Sequence, residues 1–330
     1  EYKAELDWIE SLYVEQVETL KSWSKVNSGS CHVEGVAKMA TLAQTLFAQL
    51  DAEVEVIQLP PFEAVDSLGQ MNAQPVGPLL KFRKRPDAQH QVMLLGHLDT
   101  VFPKDHHFQD IELIDDNTLS GPGVADMKGG ILVMFAALMA FERSASAEQL
   151  GWTVILNPDE EIGSHASVDL LRQEAQQHHV GLVFEPAIKP DGTVAGVRKG
   201  SGNFSVVVHG RSAHAGRAFD EGRNAICLLT EIVSQLNGLN ADKEGVTLNV
   251  GEIHGGGPVN VVPDFAMTRF NVRAFESSDA QWAQAQCQAI IDKANAQDGN
   301  FSIGNAAGSA ITEATDSVLI GYETGAAITT

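Results

Sequence analysis

Cysteine is scarce in this sequence, and the three present, Cys31, Cys227 and Cys287, lie far apart with no CxxC spacing. That pattern argues against a disulfide framework and against a thiolate zinc site, so any metal takes nitrogen and oxygen ligands. Basic residues are also few. Against 22 Lys and Arg stand 43 Asp and Glu, a formal net charge of −21, which argues against nucleic-acid partners and against docking on anionic membranes. No run approaches the roughly 18 apolar residues of a membrane helix. The start, Glu1-Tyr2-Lys3-Ala4-Glu5, has neither an initiator Met nor the apolar core of a signal peptide. It reads as a trimmed or processed chain, cytoplasmic or, after signal removal, periplasmic or secreted. Internal repeats and low-complexity tracts are likewise missing.

What is present suffices for a large core: 330 residues, 44% of them hydrophobic, with two domains as the expectation from length. Ile9, Leu12, Tyr13, Val17, Leu20 and Trp23 recur at helical spacing, as do Val33, Val36, Ala40, Ala43, Phe47 and Leu50, which predicts two amphipathic helices. Strand candidates follow at 54–59, 79–84, 91–96, 152–156 and 181–184, with an apolar helix over 130–141 between the third and fourth. Such alternation predicts an α/β sheet with its site at strand carboxyl ends.

The chain changes character around Arg198-Lys199-Gly200-Ser201-Gly202. Beyond this expected joint, a strand from Phe204, a helix over 224–236, strands near 246–250 and 266–275 and a helix over 281–295 predict a separate α+β (βαββαβ) unit. Its helices should lie on one face, with strand edges free to pair with another subunit. The expected divisions are 1–197, 198–305 and a remainder, 306–330.

Four segments carry candidate chemistry. In Gly96-His97-Leu98-Asp99-Thr100, period-two geometry sets His97 and Asp99 on one side of the chain, so Asp99 can orient the imidazole while His97 binds a metal. Asp126 lies between Gly121-Pro122-Gly123 and Gly129-Gly130, just ahead of a helix, where it fits either a helix cap or a metal ligand. Glu160 and Glu161 end the run from Trp152, and two adjacent carboxylates repel unless a cation intervenes. One can bind metal while the other moves protons. Glu185, before Pro186, ends the next strand. Taken singly, each residue has an ordinary structural explanation; four such groups at successive strand ends point to a two-metal hydrolytic site. Surface positions are expected for the neighbouring pairs His106-His107 and His178-His179.

The motifs Gly-His-Leu-Asp-Thr-Val, Gly-Pro-Gly-Val-Ala-Asp-Met-Lys-Gly-Gly, Asp-Glu-Glu-Ile-Gly-Ser and Ser-Ala-His-Ala-Gly occur in the order seen in the M20 zinc metallopeptidases. Over roughly residues 20–275 the chain resembles that family, and most of all its glutamate carboxypeptidase branch. The resemblance implies a mixed-sheet α/β zinc-exopeptidase catalytic domain with an inserted dimerisation or lid domain, acting as a homodimer on a small peptide or N-acyl amino acid. It implies two zinc ions per subunit, with cobalt or manganese as alternatives. His97 and Glu185 bind zinc, Asp126 bridges both ions, Glu161 binds the second, Glu160 is the general base and Asp99 supports His97. By the same resemblance His214, Asn260 and Arg273 hold substrate. Arg269, Asn271 and Arg273 share one face of a predicted strand, which by itself reads either as a cationic substrate face or as a solvated one.

The implied activity is hydrolysis of an amide next to a free carboxylate, releasing a C-terminal glutamate. An N-acyl amino-acid deacylase of acetylornithine or succinyl-diaminopimelate type is the neighbouring alternative. In the family a final His ligand comes from a late return to the catalytic domain, whereas Ala306 to Thr330 contains no His. The sequence is therefore expected to be incomplete; a catalytically inactive metal-binding interaction protein is the reading that goes with a true end at Thr330.

Overall fold

The structure is a computed structural model that describes residues 2–189, 191–194, 199–297, 302–305 and 323–325. Along the chain come α1 (Lys3–Ser11), α2 (Tyr13–Ser24), α3 (Val33–Phe47), β1 (Glu53–Ile57), the hairpin β2 (Phe62–Val65) and β3 (Met71–Gln74), then β4 (Leu79–Lys84) and β5 (His90–His97). The hairpin β6 (Glu112–Asp115) and β7 (Thr118–Ser120) precedes α4 (Lys128–Glu142), β8 (Leu150–Asn157), α5 (Val168–Ala175) and β9 (Val180–Val183). The remainder comprises β10 (Gly200–His209), β11 (Ala213–His214), α6 (Ala225–Gly238), β12 (Thr247–Gly255), β13 (Val261–Val262), β14 (Phe265–Ala274), α7 (Ser277–Gln297), β15 (Ser302–Asn305) and β16 (Glu323–Gly325).

The chain divides into two compact units, 1–61 with 75–195, and 62–74 with 196–330. The expected unbroken division 1–197 is thus interrupted, because the hairpin β2–β3 goes with the second unit. Of the expected remainder 306–330, Glu323–Gly325 pair antiparallel with β10 and the other residues lie outside those described.

The first unit is built on a mixed five-stranded sheet of order β1-β4-β8-β5-β9, in which β5 runs parallel to both β8 and β9. Side chains alternate between its faces. Leu80, Phe82, Leu94, Trp152, Val154 and Leu156 meet Val36, Met39, Phe47, Ile131, Met134 and Phe135 of α3 and α4. Leu79, Met93, Leu95 and Ile155 face Leu170 and Leu171 of α5. Both faces are covered, which is why β5 and β8 read as continuous apolar runs. The single helix expected from Ile9 to Trp23 is instead two, joined at Leu12. Tyr13 is exposed, so its place in the apolar pattern does not correspond to burial.

In the second unit β12-β14-β10-β15 form an antiparallel sheet with α6 and α7 on one face, the expected βαββαβ arrangement. Phe204, Val206, Val208, Phe270 and Val272 bury against Leu229, Ile232, Leu236 and Ile291. The other face is not left bare. Gly69, at the turn of the β2–β3 hairpin, has φ +75° and comes so close to Phe265 and Val207 that a Cβ there would lie 2.6 and 2.7 Å from their side-chain carbons. Arg269 Nη2 donates to the Val65 carbonyl at 2.6 Å from the same face.

Candidate metal centre

The parallel strands of the first unit deliver their carboxyl ends to one place. At Gly96 a Cβ would lie 2.8 Å from Met127 Cε, so glycine lets Met127 pack against β5, and Met127 Sδ accepts the His97 N–H at 3.2 Å. His97 is 1% exposed. Its Nδ1 faces the Asp99 backbone oxygen at 3.0 Å and Oδ1 at 3.3 Å, which places the proton on Nδ1 and turns the Nε2 lone pair the other way. There Nε2 meets Asp126 Oδ1 at 3.0 Å, Glu185 Oε1 at 3.5 Å and Glu160 Oε2 at 3.9 Å.

Asp99 joins the pieces. Fully buried, it accepts the Ser30 hydroxyl at 2.6 Å and the backbone N–H groups of Glu160 at 3.2 Å and Glu161 at 3.1 Å. The short helical turn Glu160–Ile162 is held from the other side by buried Asp159, whose carboxylate accepts the N–H groups of Ala166 and Ser167 and the Ser167 hydroxyl. Asp126 does not cap α4, whose preceding residue is Met127 and whose first turn has no side-chain cap. That removes the cap as the explanation of Asp126. Lys128, two residues on, is fully buried and donates to the carbonyls of Val26 at 2.8 Å and Trp23 at 3.3 Å; burial lowers its pKa to about 8.

Two donor groups result, His97 with Glu160 and Glu185, and His97 with Asp126 and Glu161, each with its ligand atoms within 4.8 Å of one another. The charges are strained without a cation. Burial raises Glu161 to about 7, assisted by Asp126, Asp99 and Glu160 and opposed by His97. Glu185 also rises to about 7, through burial and the neighbouring Asp126 and Glu160. Glu160 is raised by burial and by Asp99, Asp126 and Asp159. His97 goes the other way: burial disfavours its charge, but the hydrogen bonds with Asp126 and Asp99 outweigh it and hold the pKa well above the ordinary value. One imidazole nitrogen facing four carboxylates, without a thiolate, fits divalent zinc, cobalt or manganese. Both groups draw on the same nitrogen, Nε2.

His214, Asn260 and Arg273 all belong to the second unit and are exposed. His214 pairs with Val261, and Ala215 N–H donates to the Asn260 carbonyl at 3.0 Å, so these two stand together. Arg273 stands apart near the far end of β14, with its Nε donating to Asn271 Oδ1 at 2.8 Å. The face it shares is less cationic than its sequence implies, because Arg269 pairs with Glu252 at 3.0 Å. His178 is not a plain surface residue: it is half-buried, with Nε2 2.9 Å from Thr153 Oγ1 and Nδ1 2.6 Å from the Glu174 carbonyl. The His106 and His107 rings lie 4.3 Å apart, centroid to centroid. Sequence reasoning did not find Ser30, Asp159 or Lys128. Asp159 adjoins the Glu pair and could have been read from it, whereas nothing in the Ser28-Gly29-Ser30 stretch announces a partner 69 residues away.

Comparison with known proteins places this geometry. Residues 197–299 match the family described as "Peptidase dimerisation domain". A metallo-carboxypeptidase of the M20 family from Sulfolobus solfataricus superposes with a TM-score of 0.66 at 16% identity, over 88% of this chain and 77% of the other. The fold is that of the M20 metallopeptidases. Human carnosine dipeptidase 1 gives the same TM-score, 0.66, at 18% identity, covering 93% of this chain and 80% of its own. In sequence, carboxypeptidase G2 from Pseudomonas sp. is 28% identical over 188 residues, 57% of this chain and 45% of that protein. Succinyl-diaminopimelate desuccinylase from Wolinella succinogenes is 28% identical over 238 residues, 68% and 62% respectively. The chain spans about half the length of the curated carboxypeptidases it matches. No helix among the described residues is long and apolar enough to cross a membrane.

Proposed function

We propose that this protein is a cocatalytic metallopeptidase that hydrolyses an amide next to a free carboxylate, releasing a C-terminal glutamate. The observation that carries the reading is the His97 Nε2 atom facing Asp126, just ahead of α4, and Glu185 and Glu160, beyond the ends of β9 and β8, at 3.0, 3.5 and 3.9 Å. His97, Asp126, Glu161 and Glu185 are assigned as ligands, preferably of zinc. When bound, a divalent pair supplies Lewis acidity to the scissile carbonyl and lowers the pKa of the attacking water.

The chain's own groups then move the proton. Glu160, already raised in pKa by burial, accepts a proton from water as its oxygen attacks the carbonyl carbon. As the C–N bond breaks, the same carboxyl returns the proton to the leaving nitrogen. Asp99 holds His97 and the turn in register throughout. His214, Asn260 and Arg273 are assigned to substrate binding, and pairing of two copies through the dimerisation domain is the proposed assembly.

Deacylation of an N-acyl amino acid is the second reading, favoured by the similarity to succinyl-diaminopimelate desuccinylase over 68% of this chain. A metal-loaded panel of folyl- and peptidyl-glutamates against N-acetyl and N-succinyl amino acids separates the two. Preference for the glutamates supports the first reading, preference for the small acyl substrates the second, and chelator-insensitive turnover excludes both.

A further inference from the structure

Lys128 is the first residue of α4, a place that disfavours a lysine. A cation in the first turn opposes the helix dipole, and an ammonium taken out of water costs free energy unless it is hydrogen-bonded. Lys128 is nonetheless 0% exposed. Its neighbours give the reason. Gly123, at φ +72°, leaves room for the stem: a Cβ there would lie 2.8 Å from Lys128 Cδ and 3.0 Å from Cε. The Lys128 N–H donates to the Gly123 carbonyl at 2.8 Å, so backbone and stem together close the loop 123–127 that carries Asp126. At the far end Nζ donates to the carbonyls of Trp23 at 3.3 Å and Val26 at 2.8 Å, at and just past the C-terminus of α2, where the helix dipole favours a cation.

That anchor is well packed, since Trp23 is buried in the core of the first unit. It is also shared. A little further along the same stretch the Ser28 carbonyl accepts the Thr100 N–H at 2.9 Å, and the Ser30 hydroxyl donates to Asp99 Oδ2 at 2.6 Å. Residues 23–30 therefore reach both sides of the donor set, Asp126 through Lys128 and His97 through Asp99. The Asp126 side chain is 53% exposed, so burial alone does not hold it in place. We propose that Lys128 is a positioning residue for Asp126: its buried ammonium ties the loop 123–127 to residues 23–30 and so keeps Asp126 Oδ1 beside His97 Nε2, where the two can share a divalent ion. The proposal rests on the metal-centre reading above and adds to it a residue that touches neither ion nor substrate.

The test is zinc affinity, measured by competition with a chromophoric chelator. Lys128→Met keeps an unbranched apolar stem and removes the ammonium; affinity should fall about tenfold or more, as when a group that orients a metal ligand is lost, with the far-ultraviolet circular dichroism spectrum unchanged. A double-mutant cycle separates this from a general loosening of the fold. In an Asp126→Asn background the ligand that Lys128 serves is already impaired, so Lys128→Met should there lower the remaining affinity by less than about twofold. An equal loss in both backgrounds overturns the proposal. In the cobalt-loaded protein Lys128→Met should also shift the visible absorption of the bound ion, which loss of stability alone does not do. Should Lys128→Met fail to fold, the parent protein still decides: zinc should slow hydrogen exchange at the Val26 and Asn27 amides, and exchange there that ignores zinc overturns the proposal. A parent protein that binds no zinc overturns the metal centre, and the proposal with it. Zinc bound equally by the parent and by Lys128→Met overturns the proposal alone and leaves the metal centre standing.

Discussion

The Asp99 carboxylate accepts the backbone N–H of Glu161 at 3.1 Å, so the residue that orients His97 also fixes the turn carrying the Glu pair. Two halves of the donor set are coupled through one buried side chain. Asp99→Asn should therefore damage both, because an amide NH₂ turned toward the Glu160 and Glu161 N–H groups repels them and the imidazole loses its charged partner. Zinc affinity is expected to fall ~10- to 100-fold with little change in the far-ultraviolet circular dichroism spectrum. An unaltered zinc Kd in a competition assay would show that Asp99 orients nothing.

Because both donor groups share Nε2, and Nδ1 is engaged by Asp99, only one ion can have a nitrogen ligand from His97. Among the described residues the other ion draws on the carboxylates. Zinc titration is expected to show two sites of unequal affinity, with the weaker emptied first by a chelator and refilled more readily by manganese than the stronger. Two equal, nitrogen-rich sites in calorimetry and X-ray absorption would contradict this.

Acid stability should depend on Glu142, a residue outside the donor cluster. Burial pushes its carboxyl up, but hydrogen bonds from Arg85, Trp152 and Lys84 outweigh that and bring it to about 2 from the ordinary 4.5. A carboxyl depressed in the folded state adds stability above its unfolded pKa and loses it as the pH falls through the folded one. The window is thus about pH 4.5 down to 2. Urea denaturation of Glu142→Gln should show a loss on the order of 1–2 kcal/mol at pH 7 after allowance for solvent screening, shrinking across that window. A difference that stays constant from pH 7 to pH 2 would rule out the linkage.

Much of this was legible in the sequence for physical reasons. Buried strands announce themselves as apolar runs, and the short apolar and basic stretch read as a strand over 79–84 is β4 with those bounds. His97, Glu160, Glu161 and Glu185 were legible as neighbours because their motifs follow the carboxyl ends of the mutually parallel strands β5, β8 and β9, whereas Asp126 reaches the same place from the loop before α4 and not from a strand end. Ser30 was not, since its hydrogen bond to Asp99 depends on a loop packing against a strand that only tertiary structure brings near. Nor was the hairpin β2–β3 legible as part of the second unit: local pattern fixes a hairpin but not which sheet it covers. Arg269 looked like free positive charge because its partner, Glu252, lies on the neighbouring strand.

Assembly has its own test. In β12, paired to β14 on one side, Ile253 is a large exposed apolar residue. Placing Lys there blunts such an edge. If two copies pair along β12, Ile253→Lys should move the protein from dimer to monomer in sedimentation experiments while the second unit stays folded. A dimer of unchanged affinity would place the contact elsewhere.

The division of labour within the Glu pair is the centre of the account, and zinc content measured beside turnover of a peptidyl-glutamate tests it most directly. Glu160→Gln should keep the parent's zinc stoichiometry and lose about a thousandfold or more in kcat, whereas Glu161→Gln should lose the weaker ion. Near-normal turnover by Glu160→Gln, or full zinc retention by Glu161→Gln, would contradict the assignment.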